Sequence, residues 1–263
     1  MTQIEFFLDK TVEQNAALYF EKAKKLKKKA EGAQAAIAIQ KKKLADLLRK
    51  KEAEQEKFEK RAVKTAVNRE WYEKFRWFFT SEDFLVIGGR DATTNEMIIK
   101  KHADSGDIVF HTDLAGSPFF IIKPEGKSIG EASIKEVADA TVTFSRVFKL
   151  GQSTTPVFWV RPDQVTKEAN TGEYLTKGAF VIRGKTNYVE NRINLAIGKL
   201  KDGRLMAAPL ESVKARSKEF IQLEQGDQKV SKIAKSIQKR LGGDLDEIIR
   251  ILPSGEFRFA KNR

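Results

Sequence analysis

Apolar residues recur along the first part of the chain with the spacing of a helix that packs against a partner helix. From residue 12 to residue 47 they alternate mostly between spacings of four and three, at Val12, Ala16, Tyr19, Ala23, Leu26, Ala30, Ala33, Ile37, Leu44 and Leu47. A repeat of this kind, close to 3.5 residues, is typical of a coiled coil. Thr11 and Gln14 have the spacing of a capping box, which predicts that the helix begins there. A helix over residues 11–48 would be roughly 57 Å long at about 1.5 Å per residue.

The sequence does not say whether this helix folds back on itself. No glycine or proline lies between Gly32 and Gly88, so no turn is marked. A single long helix and two helices joined near 49–56 both fit the pattern.

After the helix the apolar runs become short, and turn residues separate them. Trp71, Phe75 and Phe78 have helical spacing and predict a helix ending near Thr80. Strands are predicted at 84–87, 97–99, 108–110, 119–122, 157–160 and 179–182.

A central helix is predicted between these strands, opened by a capping box at Ser128 and Glu131 and ending before Gly151. Its presence among successive strands indicates an α+β fold.

The last part of the chain is predicted to begin as a hairpin. Asp202-Gly203 is a turn signal between strands 195–200 and 205–208. A strand at 219–223 and a helix over 227–241 follow, and a last helix begins after Asp244. We therefore expect a long N-terminal coiled-coil helix or hairpin, then a mixed α+β domain. The predicted divisions are 1–70, 71–200 and 201–263.

Charge changes this picture toward a binding protein. Lysine and arginine number 49 against 36 acidic residues, a net charge of +13, which favours polyanionic partners such as nucleic acid or, less strongly, an anionic membrane surface. Cysteine is absent, which excludes disulfides and thiol chemistry. Because the sequence has no apolar run of about 20 residues and no signal-peptide pattern, we expect a cytoplasmic protein that does not enter a membrane.

Many of the basic residues lie on the polar side of the first helix. They are Lys24, Lys25, Lys27, Lys28, Lys29, Lys41, Lys42 and Lys43. A solvated helix face usually alternates lysine with glutamate, and here the acidic residues come mainly later. The pattern favours an arm that contacts phosphates over a simple solvated surface.

A second set of polar residues lies in the turns and ends of the predicted strands. Arg90, Asp91, Asn95, Glu96, His111 and Asp113 gather there, which is typical of a binding or catalytic face. Arg90, Lys100, Lys101, Arg183 and Lys185 would make that face basic. Phe110, Tyr174 and Tyr188 could stack on bases, although Phe110 fits a core position equally well. Basic loops with aromatic residues are typical of RNA recognition.

Enzyme chemistry is the alternative of a different class. Asp107, His111 and Asp113 would share one face of a strand and could form a hydrolase site with Ser117 or a metal ion. The sequence has no HExxH spacing and no GxSxG motif to support it. Gly88-Gly89-Arg90-Asp91 also lacks the Walker ending. We predict no metal, no cofactor and no enzymatic activity, and we keep a His/Asp hydrolase and a coiled-coil protein scaffold as alternatives.

Four stretches also resemble a known family. WYEKFRWF (71–78), GGRDATTNE (88–96), DIVFHTDLAGSP (107–118) and GEYLTKGAFVIRGKTN (172–187) are similar, in order and spacing, to the R domain of the NFACT family of ribosome quality-control factors. The archaeal pattern is the nearest. The chain departs from the family pattern at Thr112, Ala115 and 168–170.

The resemblance implies an RNA-binding domain that helps to hold tRNA on an obstructed large ribosomal subunit, behind a coiled-coil arm. On this resemblance the candidate RNA-binding residues are those of the matching motifs: Arg90, Asp91, Asn95, Glu96, His111, Asp113, Gly116, Ser117, Gly172, Glu173, Tyr174, Arg183, Gly184, Lys185 and Asn187. The family's N-terminal half has no counterpart in this sequence. We expect that half, or another helix, to pair with the coiled coil.

Overall fold

The computed structural model describes residues 5–64, 70–168 and 175–260, with side chains described outside 50–64. The chain divides into two compact units, Met1–Arg69 and Glu70–Arg263. The finer division at residue 200 stays a prediction.

The first unit contains one long helix, α1 (Val12–Lys64). The predicted capping box is confirmed: the Thr11 amide donates to Gln14 Oε1 at 3.0 Å, and the Gln14 amide donates to Thr11 Oγ1 at 3.3 Å. No turn interrupts the helix at 49–56, so of the two alternatives the structure has the continuous helix. Leu26, Ile37 and Leu44 are more than half exposed, which leaves the apolar stripe of this unit uncovered.

The second unit begins with a six-stranded antiparallel sheet. The strands of this sheet, those of a two-stranded ribbon and the helices between them are, in chain order, β1 (Arg76–Phe79), β2 (Leu85–Gly88), α2 (Ala92–His102), β3 (Ile108–Thr112), β4 (Phe120–Lys123), α3 (Glu131–Thr143), α4 (Arg146–Leu150), β5 (Val157–Val160), β6 (Val165–Thr166), β7 (Val181–Ile182) and β8 (Asn187–Val189). The strand order is β1-β2-β4-β3-β5-β8, and β6 pairs with β7. The α+β prediction is confirmed.

A four-stranded antiparallel sheet follows in the same unit. Its elements are β9 (Leu195–Lys199), β10 (Leu205–Ala208), α5 (Leu210–Arg216), β11 (Phe220–Lys229), α6 (Val230–Leu241), α7 (Leu245–Ile251) and β12 (Glu256–Phe259), with strand order β10-β9-β11-β12. The Asp-Gly hairpin is confirmed, and so is Asp244 as a cap, since Asp244 Oδ1 accepts from the Asp246 amide at 2.9 Å.

One hydrophobic core serves this whole unit. Phe75, Phe110, Phe120, Phe148 and Phe257 are fully buried in it. Phe110 is therefore a core residue and not a base-stacking one, because its ring has no surface left for a base.

The helix predicted over 71–80 is wrong. Only Trp71–Lys74 forms a short 3-10 helix, and the chain then continues as β1. Trp77 and Phe78 pair with Ile87 and Val86 of β2, and both are buried. When both faces of a strand are covered, apolar spacing no longer distinguishes a strand from a helix.

The strand predicted at 97–99 is also wrong, because these residues belong to α2. The helix is started by Asp91, whose Oδ1 accepts from the Thr94 amide at 2.8 Å. Ile98 is buried, whereas Lys100 lies on the exposed side with Glu96 one turn before it. The Asp-x-x-Thr cap was the signal for this helix.

A distant side chain replaces the cap predicted at Ser128 for the central helix. Glu82 Oε2 accepts from the Ser133 amide at 3.0 Å, and Gly130 takes the N-cap position. A Cβ at Gly130 would lie 2.0 Å from Glu82 Oε1. The single helix predicted to end before Gly151 is wrong: α3 ends at Thr143, and a separate helix, α4, begins after Ser145, whose Oγ accepts from the Val147 amide at 3.2 Å.

Other boundaries differ because sheet pairing extends beyond the apolar runs. The strand β11 continues to Lys229, which pairs with Glu256, so α6 begins at Val230 instead of 227. The short strands β6, β8 and β12 were not predicted, and the strand expected at 179–182 is reduced to β7.

Candidate nucleic-acid interface

A cleft of about 630 Å³ opens in the second unit, where the start of α2, the β3–β4 loop, α4 and the segment 176–180 meet. Six of the predicted RNA-binding residues line it: Arg90, Asp91, Asn95, His111, Gly116 and Ser117. The structure thus brings together residues from the turn before α2, from α2 itself, from β3 and from the β3–β4 loop.

Three of these residues hold the β3–β4 loop in place. The backbone oxygen of Ser117 lies 3.2 Å from His111 Nε2 and accepts from Asn95 Nδ2 at 3.4 Å. Asn95 Oδ1 also accepts from the Phe119 amide at 3.1 Å. The His111 ring stacks on Phe119 with centroids 4.1 Å apart. These side chains position the loop, and an RNA contact by each of them stays a prediction.

The floor of the cleft carries two half-buried arginines. Arg90 donates from Nη1 to the Arg250 carbonyl and from Nη2 to the Phe75 carbonyl, both at 2.6 Å. Arg76 donates from Nη1 to the Leu252 carbonyl at 3.3 Å and lies over the Phe144 ring at 4.6 Å.

These two guanidinium groups keep their charge at neutral pH despite an unfavourable setting. Burial, and then the nearby charge of Arg90, lower the pKa of Arg76 to about 9. Burial, and then the charge of Arg250, lower the pKa of Arg90 to about 10. Desolvation and like charges both disfavour the charged form, so an anion in the cleft would stabilise both arginines.

Further cations stand at the rim, and sequence reasoning missed them. Arg146 and Lys149 of α4 and Lys177 of the segment 176–180 are exposed and line the cleft, together with the half-buried ring of Phe180. Lys177 lies inside one of the family-like motifs, and Arg76 inside another, so the motifs contained the signal for these two. Nothing in the pattern of the central helix marked Arg146 and Lys149.

Glycine is required where the segment 176–180 approaches α2. Gly178 has φ +81°, and a Cβ there would lie 2.6 Å from the Ala92 Cα. Only glycine allows both this backbone conformation and this close approach.

Comparison with known proteins identifies the part of the chain that holds this cleft. Residues 74–184 match the family described as the NFACT protein RNA binding domain. Residues 74–184 form an NFACT RNA-binding domain. This R domain supplies most of the lining of the cleft. Beyond the matched residues, Ser254 also lines it, and the carbonyls of Arg250 and Leu252 accept hydrogen bonds from Arg90 and Arg76.

The chain is also homologous to ribosome quality-control factors. It is 40% identical to the archaeal Rqc2 homolog aRqcH of Methanocaldococcus jannaschii over 200 residues, which are 73% of this chain and 30% of that protein. It is 37% identical to the human ribosome quality control complex subunit NEMF over 180 residues, which are 66% of this chain and 16% of that protein. The chain thus spans less than a third of the length of these relatives.

Several predicted residues of the R domain and its surroundings lie away from the cleft lining. Glu96 forms ion pairs with Lys100 at 3.4 Å and with Lys167 at 2.9 Å. Arg183 forms an ion pair with Glu168 at 3.5 Å. The others are Lys101, which is exposed on α2, Asp113, Lys185 and Asn187. Gly172, Glu173 and Tyr174 lie outside the described residues.

The residues considered for a metal or hydrolytic site do not converge. The carboxylate of Asp107 lies 2.6 Å from Lys123 Nζ, and Asp113 accepts from the Tyr188 hydroxyl at 3.4 Å. The Ser117 hydroxyl donates to the Leu114 carbonyl at 2.8 Å instead of to His111. Among the residues described, no cluster of histidine and carboxylate side chains could hold a metal ion.

In the first unit, all eight predicted arm lysines are exposed on α1. No helix in the described part of the chain is both long and apolar enough to cross a bilayer.

Proposed function

We propose that this chain is an RNA-binding component of ribosome-associated quality control that contacts tRNA and the obstructed large ribosomal subunit. The observation that carries the proposal is the cationic cleft inside an NFACT RNA-binding domain. Five basic side chains line it, whereas Asp91 is its one acidic lining residue among those described. A concave surface with this charge attracts and orients RNA phosphates.

The arm supports a second contact with RNA. Its lysines lie on a helix without loops, so they supply charge with little base readout. Ribosomal RNA offers a large phosphate surface of the kind such an arm would bind. The uncovered apolar stripe of α1 is where we propose that a helix of the family's N-terminal half, or another helix, packs.

We infer that the chain binds RNA without catalysing a reaction on it, and that it works in the cytoplasm. The side chains considered for hydrolysis are engaged with Lys123, Tyr188 and the Leu114 carbonyl. The relatives carry names of ribosome quality-control factors.

Two binding measurements test the proposal. The purified chain is titrated with deacylated tRNA and, separately, sedimented with purified large ribosomal subunits over a range of salt concentrations. Each neutralised phosphate should contribute about −0.7 to −0.9 to the slope of log affinity against log salt. Absence of tRNA binding at low salt, or a slope near zero, would contradict the proposal.

A further inference from the structure

Half-buried arginines elsewhere in the second unit are neutralised by carboxylates. Arg204 lies 2.8 Å from Glu73 and 2.7 Å from Asp202, and Arg216 pairs with Asp83. For Arg204, burial opposes the charge, but hydrogen bonds to Asp202, Tyr72 and Glu73 outweigh burial and raise its pKa. This is the expected rule, because a charge removed from water needs a partner.

Arg76 and Arg90, at the floor of the cleft, break that rule. In the described ranges neither forms an ion pair with a carboxylate, and their hydrogen bonds go to the backbone oxygens of Leu252, Arg250 and Phe75. The buried Nε of Arg90 has no hydrogen-bond partner among the described residues, which is also true of Arg216 Nε, but Arg216 has the Asp83 carboxylate to balance its charge. The carboxylate of Asp91 accepts from the amide and hydroxyl of Thr94, and its charge raises the pKa of Arg90 by less than burial and the charge of Arg250 lower it.

The rim adds charge and one aromatic surface. Arg146, Lys149, Lys177 and Phe180 all line the cleft. The volume of about 630 Å³ exceeds what a bare phosphate needs and leaves room for a sugar and a base. Phe144 already faces Arg76, and Phe119 is buried against His111. Phe180 has Lys167 Nζ 4.8 Å from its ring centre and lies edge-to-face with Phe119 at 5.4 Å, but it is the least buried of the three rings and offers the most surface for stacking.

We propose that this cleft receives one nucleotide of an unpaired RNA strand, with its phosphate at the Arg76–Arg90 pair and its base against Phe180. The inference rests on the proposed RNA-binding function and names the part of the RNA that is bound. Guanidinium groups match phosphate oxygens in geometry. Stacking on one aromatic ring tolerates any base, so the site should select unpaired strands over duplexes more than it selects a sequence.

The test uses the full chain and a labelled single-stranded RNA hexanucleotide, with a blunt RNA duplex and deacylated tRNA measured in parallel by fluorescence anisotropy. The variant is Lys149→Gln with Lys177→Gln, since both lysines are exposed and their loss should not unfold the domain. The matched control is Lys232→Gln with Lys235→Gln, which removes the same charge from the exposed face of α6. Melting curves must agree for all forms.

We expect the cleft variant to lose about tenfold in hexanucleotide affinity and the control to lose much less. Phe180→Ala should weaken the hexanucleotide about fivefold or more while leaving the salt slope unchanged, because stacking carries no charge. Inorganic phosphate should compete with the hexanucleotide in the parent protein more effectively than chloride at equal ionic strength.

Three results would overturn the inference: equal losses in the cleft and control variants, tighter binding of the duplex, or displacement of RNA by an acidic peptide at lower concentration than by nucleotide. If the parent protein binds tRNA while the cleft variants lose nothing, the cleft inference fails and the proposed function stands. If the parent protein binds neither tRNA nor ribosomal subunits, the proposed function itself fails.

Discussion

The guanidinium group of Arg90 donates a hydrogen bond to the carbonyl oxygen of Phe75 at 2.6 Å. Phe75 is the fully buried residue between the 3-10 helix and β1, so this contact joins the floor of the cleft to the core. The second terminal nitrogen of the same guanidinium, Nη1, donates to the Arg250 carbonyl. Arg90 thus connects the R domain with the C-terminal segment, and its loss should affect the fold before it affects RNA.

Arg90→Ala should lower the free energy of unfolding by about 2 to 4 kcal/mol, because two backbone acceptors lose a charged donor. Urea denaturation followed by circular dichroism measures this change. Arg146→Ala is the matched control, since Arg146 is exposed at the rim and its removal should cost less than about 0.5 kcal/mol. Equal stability of the two variants would show that the Arg90 contacts do not brace the fold.

The free energy of unfolding should decrease as the pH is lowered, because of the half-buried histidine of the cleft, His111. Burial, more than any other cause, lowers the pKa of His111 below its ordinary value of 6.5. The unfolded chain therefore takes up a proton at a pH where the folded protein does not, so stability is complete above 6.5 and declines as the pH falls toward the lower folded pKa.

His111→Gln should remove part of that decline. The comparison is the free energy of unfolding of parent and variant between neutral pH and about pH 5. His102→Gln is measured in the same way to give the share of the decline that comes from His102, whose pKa burial also lowers. If the His111→Gln curve stays parallel to the parent curve over this interval, His111 does not remain neutral in the folded protein.

Gly178→Ala should disturb the cleft through its backbone. The new Cβ would meet the Ala92 Cα at 2.6 Å, at a residue with φ +81°. Gly126→Ala is the control, since Gly126 has φ +82° but nothing within 4 Å of a Cβ. Both variants should be destabilised by about 1 kcal/mol for the left-handed conformation, and only Gly178→Ala should show an added loss of stability and weaker hexanucleotide binding. Identical behaviour of the two would remove the close approach as a determinant of the cleft.

The sequence predicts local features of this fold well where a short signal decides them. The capping box at Thr11, the Asp202-Gly203 hairpin and the cap at Asp244 depend on neighbours within three residues, and all three are present. Gly130 and Glu82 show the opposite case, because the partner that starts α3 lies 51 residues from the helix amide that it binds. No local pattern could reveal that partner.

The same distinction holds for the candidate site. Motif residues such as Asp91, Asn95 and His111 could be found from the sequence, and they gather at one cleft. The rim residues Arg146 and Lys149 lie in a stretch for which the sequence pattern predicted only a helix with an apolar face. Their position at the cleft depends on how α4 meets the β3–β4 loop. The backbone oxygens of Arg250 and Leu252 carry no sequence signal at all.

The two basic surfaces should bind different partners. The arm lysines Lys24, Lys25, Lys27 and Lys28 offer charge on a bare helix, whereas the cleft combines charge with an aromatic wall and a defined shape. Reversal of these four lysines to glutamate should reduce co-sedimentation with large ribosomal subunits about tenfold or more at moderate salt and should spare free tRNA binding.

The cleft variant Lys149→Gln with Lys177→Gln should have the opposite effect, weakening tRNA more than ribosomal subunits. This variant is a better probe of the cleft than an Arg90 substitution. Because Arg90 also stabilises the fold, its loss would lower the affinities for tRNA and for ribosomal subunits simply by unfolding the domain. Each variant must first keep the circular dichroism spectrum and melting temperature of the parent. If both sets of changes lower both affinities in parallel, the arm and the cleft act as one diffuse polyanion-binding surface, and the separation of roles is wrong.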